Sequence, residues 1–323
     1  MKAMGNELWK WLYRKPPIIR YSVTEDQDIG PFLPHGLVHR VQFYQWHINP
    51  QGLRKWHHAA MMRRPDDLIY HCINDKHVAA GCQAMGMRAF HINQNLFVDE
   101  RIYRIDRSVP KKYDAIYVAR MHPQKRHELA SQIPSCLLVG TASGKYARPE
   151  WRRKLPDLCP HATFFDFGNR TGINANEIHI QMSQARVGLC LSAVEGGMFV
   201  ASEYLLNGLP VVTTGNRGGR NDWMDPEFTR VVPESSQAVA EAVQDLISRK
   251  ISPEHVRAET MRRMSVHRER FCELVQGILD NQGAQDLYRR RFYEGFENKG
   301  GGWKHVDHIR EEFHTATNGF AIL

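Results

Sequence analysis

Four stretches of the chain hold side chains suited to gripping an anion beside a hydroxyl-rich ligand. Arg120 and Lys125 follow directly on an apolar run ending at Ala119. Two cations at that spacing can converge on one anionic group, although either alone is an ordinary solvated charge. The second stretch runs from Leu191 to Glu203 and contains Glu195, Gly196, Gly197, Met198 and Phe199. Here an apolar run leads into a carboxylate, and two glycines let backbone approach a ligand closely. A helical stretch then carries Glu203. A carboxylate in an anion-binding cleft needs hydrogen-bond donors, and sugar hydroxyls are such donors. The third stretch, Phe164 to Arg170, ends an apolar run with Phe167, Gly168 and Asn169, a turn suited to stacking a flat base. The fourth, Thr213 to Arg220, is glycine-rich and equally well explained as a plain turn.

The elements that must position these residues alternate regularly from Tyr113 onward. Strands are expected at 114–119, 136–140, 163–167, 187–191 and 211–214. Helices are expected at 123–132, opened by Pro123, and at 149–155, 174–185 and 198–207, the last stopped by Gly208 and Pro210. Continuous apolar strands between helices imply a parallel sheet covered on both faces, an α/β doubly wound domain. In such sheets the ligand lies beyond the carboxyl ends of the strands, where the four stretches fall. Upstream, strands are expected at 17–21, 38–44, 67–72 and 88–92, with a helix at 76–85 capped by Gly86. Charges crowd into a linker at 99–112, and the chain from Pro253 is helical and basic. The boundaries drawn are 1–108, 109–282 and a helical tail, 283–323, packing back on the first domain.

Composition narrows the class. The chain has 323 residues, 43 Lys+Arg against 35 Asp+Glu and a net charge of +8, with 42% hydrophobic residues. That apolar fraction fills a core and excludes a disordered chain. No window approaches the roughly 20 apolar residues of a bilayer-spanning helix, and the polar start lacks a secretory signal, so a cytoplasmic protein is expected. The six cysteines are scattered and form no zinc-like cluster, which suits buried thiols in a reducing compartment. The basic excess is distributed, which fits an anionic small ligand or a membrane surface and argues against specific nucleic-acid binding. Asp26-Gln27-Asp28 has the spacing of a metal-holding carboxylate pair but sits in a polar, turn-like stretch near the N-terminus with no nucleotide-binding strand order before it.

Taken in order, the motifs resemble the C-terminal half of GT-B glycosyltransferases of the retaining family 4 type, also called glycosyl transferases group 1. The resemblance spans roughly 67–250. Glu195 and Glu203, separated by seven residues, stand where that family has its glutamate pair, followed by Gly208-Leu209-Pro210-Val211-Val212. Ala119-Arg120-Met121 and Lys125 match its "G-R-L-x-x-x-K" run, with Arg126 replacing the usual glycine. Glu195-Gly196-Gly197-Met198 replaces "E-G-F-G", placing a side chain at Met198.

The resemblance implies two Rossmann-like domains facing a cleft, the N-terminal one abbreviated. It also implies sugar transfer with retention from a nucleoside diphosphate sugar to a glycan, lipid-linked, protein or small-molecule acceptor. Arg120 and Lys125 would hold the diphosphate, and Glu195 the transferred sugar. Glu203 would hold the ribose, Gly196 to Phe199 would line the phosphates, and Phe167 to Asn169 would line the base. No metal or cofactor is implied. The family often uses an N-terminal histidine near the sugar, for which His47, His57, His58 and His71 are candidates. The basic and aromatic run Arg289 to Tyr293 suits peripheral contact with the inner face of a membrane. The alternatives are a non-catalytic nucleotide-sugar-binding homologue and a sugar-nucleotide epimerase of the same architecture.

Overall fold

The computed structural model describes residues 8–23, 28–45, 47–140, 148–166, 174–294 and 304–318. The first elements are β1 (Leu8–Tyr13), β2 (Ile18–Val23), β3 (His39–Tyr44), α1 (Pro50–Arg63), β4 (Leu68–Ile73), α2 (Lys76–Ala84) and β5 (Ala89–His91). Next come β6 (Tyr113–Val118), β7 (Cys136–Gly140), α3 (Pro149–Leu158), β8 (Ala162–Asp166), α4 (Ala175–Ser183), β9 (Ala185–Cys190), α5 (Val200–Leu206) and β10 (Val211–Thr214). The chain closes with β11 (Thr229–Val232), α6 (Ser236–Ser248), α7 (Pro253–Asn281), α8 (Tyr288–Glu294), β12 (Lys304–His305) and α9 (Ile309–Asn318). Two compact units form: Val98–Met264, and Met1–Phe97 together with Ser265–Leu323.

These divisions differ from the boundaries expected at 108 and 282, for visible reasons. Residues 98–108 belong to the second unit because Arg257 holds them there. Its guanidinium donates to the carbonyls of Glu100 (2.8 Å), Tyr103 (2.6 Å) and Leu206 (2.5 Å). Residues 265–282 belong to the first unit because Phe271, Val275 and Ile278 sit in its core.

In the second unit the strand order is β11-β10-β9-β6-β7-β8, and every pair is parallel. The chain starts in the middle at β6, moves out to β8, then returns to β9 on the other side of β6. That reversal is the switch point at which doubly wound sheets open a crevice at the strands' carboxyl ends. Ile116 pairs with Gly188, so β6 and β9 finish side by side. Gly188 permits close packing there: a Cβ on it would stand 2.4 Å from the Tyr204 ring. The buried Tyr204 hydroxyl in turn accepts from the Val118 N–H at 2.6 Å, which locks α5 to the end of β6.

In the first unit the order is β12-β1-β2-β3-β4-β5. Strands β2 to β5 run parallel in sequence, while β1 is antiparallel to both its neighbours. One face is covered by α1 and α2 through Leu53, Val78 and Cys82. The other face, carrying Val41, Phe43 and Phe97, is closed by Phe271, Tyr288 and Phe292 from α7 and α8. C-terminal helices thus supply the layer that an abbreviated set of crossovers leaves out. Arg289, Arg290 and Arg291, expected to suit a membrane surface, each face a carboxylate: Glu269, Glu294 and Asp286.

The helix expected at 123–132 is absent. Two short 3-10 turns, Pro123–Lys125 and His127–Ala130, flank Arg126, whose left-handed backbone (φ 52°, ψ 47°) stops any α-helix. Five described elements go beyond the expectation: β1, α1, β11, α6 and β12.

Candidate active site

Around the switch point, the residues after β6 and β9 meet. The Ala119 carbonyl passes so close to β7 that a Cβ on Gly140 would lie 2.1 Å from it. Buried Tyr117 donates its hydroxyl to the Lys125 carbonyl at 2.7 Å and fixes the returning turn. Arg126 then sends its guanidinium inward. Nε donates to the Leu191 carbonyl (2.6 Å), Nη2 to Thr214 Oγ1 (2.6 Å), and Nη1 pairs with Glu234 (2.5 Å). With its neighbours so anchored, Lys125 places Nζ 2.5 Å from Glu195 Oε2, across 70 residues of chain. Both side chains are largely shielded, at 18% and 13% exposure, which strengthens the pair beyond a surface salt bridge.

Arg120 is exposed on the same loop. The ring of His122 lies in the field of Arg148, Arg120 and Lys125, and partial burial together with these cations lowers its pKa. Arg148 stands at the start of α3. Four basic side chains therefore surround the carboxyl end of β6. His122 and Arg148 were not singled out by sequence reasoning, and their signal is position alone, just after β6 and just before α3.

The Glu195 loop rests on the glycine-rich loop after β10. Val194 forms a parallel bridge with Arg217, the Glu195 N–H donates to the Arg217 carbonyl (3.1 Å), and Asn216 Nδ2 donates to the Glu195 carbonyl (3.2 Å). Gly218, at φ 128°, is needed because a Cβ would stand 2.6 Å from that carbonyl. Ser192 Oγ donates to Glu195 Oε2 at 2.7 Å.

The fourth sequence stretch is thus a bed for the acidic loop. Met198 turns its side chain into the protein, 5% exposed, with Sδ 3.6 Å from Arg220 and 3.9 Å from Ser192 Oγ. The Met198 side chain, expected to line the phosphates, is buried instead. Gly196 is buried, and Gly197 and Phe199 are half-buried beside it.

Helix α5 is shorter than the expected 198–207, so Glu203 falls in its first turn. Glu203 is 5% exposed, far from the ordinary surface glutamate its helical position would also allow. The Tyr103 phenol lies beside Glu203, and burial together with that carboxylate raises its pKa far above the usual phenol range. Tyr103 lies in the charge-rich linker, where nothing in the sequence pointed to it.

Phe167, Gly168 and Asn169 lie outside the described residues, as does Asp26. Asp28 is held by Arg40 and Arg63. Among the candidate histidines, His71 is fully buried between Tyr44 OH (2.6 Å) and His57 Nδ1 (3.0 Å), and burial holds its pKa well below the usual value. His57 is half-buried, while His47 and His58 are exposed.

The site therefore combines a clustered positive field with one ionisable carboxylate shared between a lysine and a serine hydroxyl. It can hold a doubly charged anion and, beside it, accept hydrogen bonds from hydroxyl groups.

No protein-family model and no curated protein matches the chain. Solved structures do. Sucrose-phosphate synthase from Thermosynechococcus elongatus is 18% identical, with a TM-score of 0.52 over 76% of this chain and 74% of its own. HepE from Anabaena, solved in complex with UDP-glucose, is 16% identical, with a TM-score of 0.54 over 79% of this chain and 85% of its own. The pneumococcal O-GlcNAc transferase GtfA, solved with UDP and GlcNAc, is 13% identical, with a TM-score of 0.52 over 75% of this chain and 53% of its own. The α/β architecture of two parallel-sheet units described above is accordingly the GT-B fold, shared with these glycosyltransferases.

Proposed function

We propose that the chain is a glycosyltransferase that moves a sugar from a nucleoside diphosphate sugar to a hydroxyl acceptor, with retention of configuration and without a divalent metal. The observation that carries this reading is the contact between Lys125 and Glu195 at the β6/β9 reversal, with Arg120 on the same loop. In the proposed reaction Arg120 and Lys125 take the diphosphate and stabilise the charge that develops as it leaves, the task a metal performs in other designs. Glu195, next to that charge, accepts hydrogen bonds from hydroxyls of the transferred sugar and supports its oxocarbenium-like transition state. Glu203, steadied by Tyr103, serves the ribose hydroxyls, and Phe167 to Asn169 serve the base. The acceptor hydroxyl loses its proton to the departing phosphate on the same face, which preserves the configuration. Support comes from the ligands named for HepE, UDP-glucose, and for GtfA, UDP and GlcNAc, proteins whose fold this chain shares.

The test is donor hydrolysis. A panel of nucleoside diphosphate sugars is incubated with the protein in the presence of a chelator, and the released sugar is followed by proton NMR. The expected result is release from at least one donor with the donor's anomeric configuration as the first product. Stabilisation by a nucleotide with no turnover of any donor would instead leave a binding protein, and an inverted product would overturn the retaining mechanism.

A further inference from the structure

Arg220 is fully buried, yet among the described residues no carboxylate lies within ion-pair distance of it. Its guanidinium donates only to neutral acceptors: the carbonyls of Ser192 (2.8 Å) and Thr214 (2.9 Å), Ser192 Oγ (3.3 Å), Thr213 Oγ1 (2.7 Å), Asn221 Oδ1 (3.1 Å) and the Met198 sulfur. Burying a cation this way is costly, because neutral dipoles replace hydration less well than a counter-charge does. Apolar packing would join the same two loops more cheaply. The arrangement makes sense if the positive charge acts on something nearby.

Ser192 shows what that is. Its hydroxyl has one proton, and an arginine can only donate. The Nη1 donor of Arg220 occupies a lone pair of Ser192 Oγ, which leaves the Ser192 proton for Glu195 Oε2 at 2.7 Å. A chain of donors thus runs from a buried guanidinium through a hydroxyl to the carboxylate, and such chains polarise along their length. Lys125 meets the same oxygen of Glu195. Lys125 would have to serve a bound diphosphate as well, whereas the Ser192 contact remains when it does.

We propose that Arg220 is a positioning residue: it directs the Ser192 hydroxyl onto Glu195 and so holds that carboxylate in the orientation that meets the transferred sugar. This rests on the glycosyltransferase reading given above. Arg220 touches neither donor nor acceptor in this scheme, so its influence is on the sugar step and not on nucleotide affinity.

A double-mutant cycle with Arg220→Lys and Ser192→Ala tests it, with kcat for donor turnover and the Kd of the bare nucleoside diphosphate measured for each variant. The expected result is a loss in kcat of about tenfold for each single variant, no further loss in S192A/R220K, and a Kd within about twofold of the parent throughout. Retained nucleotide binding also shows that each variant is folded. Losses in kcat that multiply in the double variant would overturn the proposal, as would a Kd that rises in step with the fall in kcat. So would unchanged turnover in S192A. A parent protein that neither binds a nucleoside diphosphate nor turns over any donor would remove the glycosyltransferase reading itself, and this inference with it. An active parent with multiplicative losses would remove the inference alone.

Discussion

The ion pair between Lys125 and Glu195 is what joins two short motifs into one site. Its two members were legible in the sequence because each follows an apolar run that ends in a strand, and strand ends are where such sheets place ligands. What the sequence did not expose is how each is held. Lys125 depends on a tyrosine beneath its carbonyl and on a left-handed arginine after it. Glu195 depends on Ser192 and, through it, on Arg220 from a loop that reads as ordinary turn. Tyr103 was hidden for a similar reason. It lies a hundred residues from Glu203, in a segment whose composition signals only a linker. Contacts of this kind leave no periodicity, since they join single residues from unrelated elements. Met198, expected with its neighbours to line the phosphates, instead turns its thioether inward against Arg220.

At the scale of elements, the sheets were readable and the connections less so. The apolar runs at 136–140 and 211–214 became β7 and β10 residue for residue. Runs with charged or aromatic interruptions were harder: β1 alternates Trp9, Trp11 and Tyr13 with lysine and leucine, and α1 buries only Leu53 and Ala60 along 14 residues. Helix α6 did carry a usable signal, since Val239, Ala242, Val243 and Leu246 repeat at helical spacing. The expected helix after Pro123 failed because tertiary contacts of Tyr117 and Arg126 override local preference. One element contact lends itself to measurement. Helix α5 reaches β9 only because residue 188 lacks a side chain, so Gly188→Ala must displace the buried Tyr204 ring. Overpacking of this kind costs about 1–3 kcal/mol. Chemical denaturation followed by circular dichroism is expected to show that loss, and an unchanged midpoint would mean that the packing at this point is looser than described.

At the scale of the whole molecule, both units bury neutral histidines, and this makes stability depend on pH. Burial pushes His127 in the second unit and His267 in the first down to about 3, and holds His71 well below its usual value. Near pH 6.5 and below, the unfolded chain takes up protons that the folded chain refuses until about 3. Stability is therefore full above pH 6.5 and declines as pH falls through that value, by about 1.4 kcal/mol per pH unit for each such group. Thermal unfolding between pH 7.5 and 5 is expected to show a falling midpoint, with a shallower fall in His127→Phe; a midpoint independent of pH would contradict the assignment.

The central claim, that the β6/β9 switch point holds a nucleoside diphosphate on Arg120 and Lys125, beside Glu195, is tested most directly by calorimetric titration of nucleoside diphosphates into the parent protein, Lys125→Gln and Glu195→Gln. One nucleotide is expected to bind the parent, with affinity at least about tenfold weaker in K125Q. In E195Q it is expected to be equal or tighter, because removing the carboxylate frees the lysine for phosphate. Equal affinity in the parent and K125Q, or no binding of any nucleotide, would contradict the account.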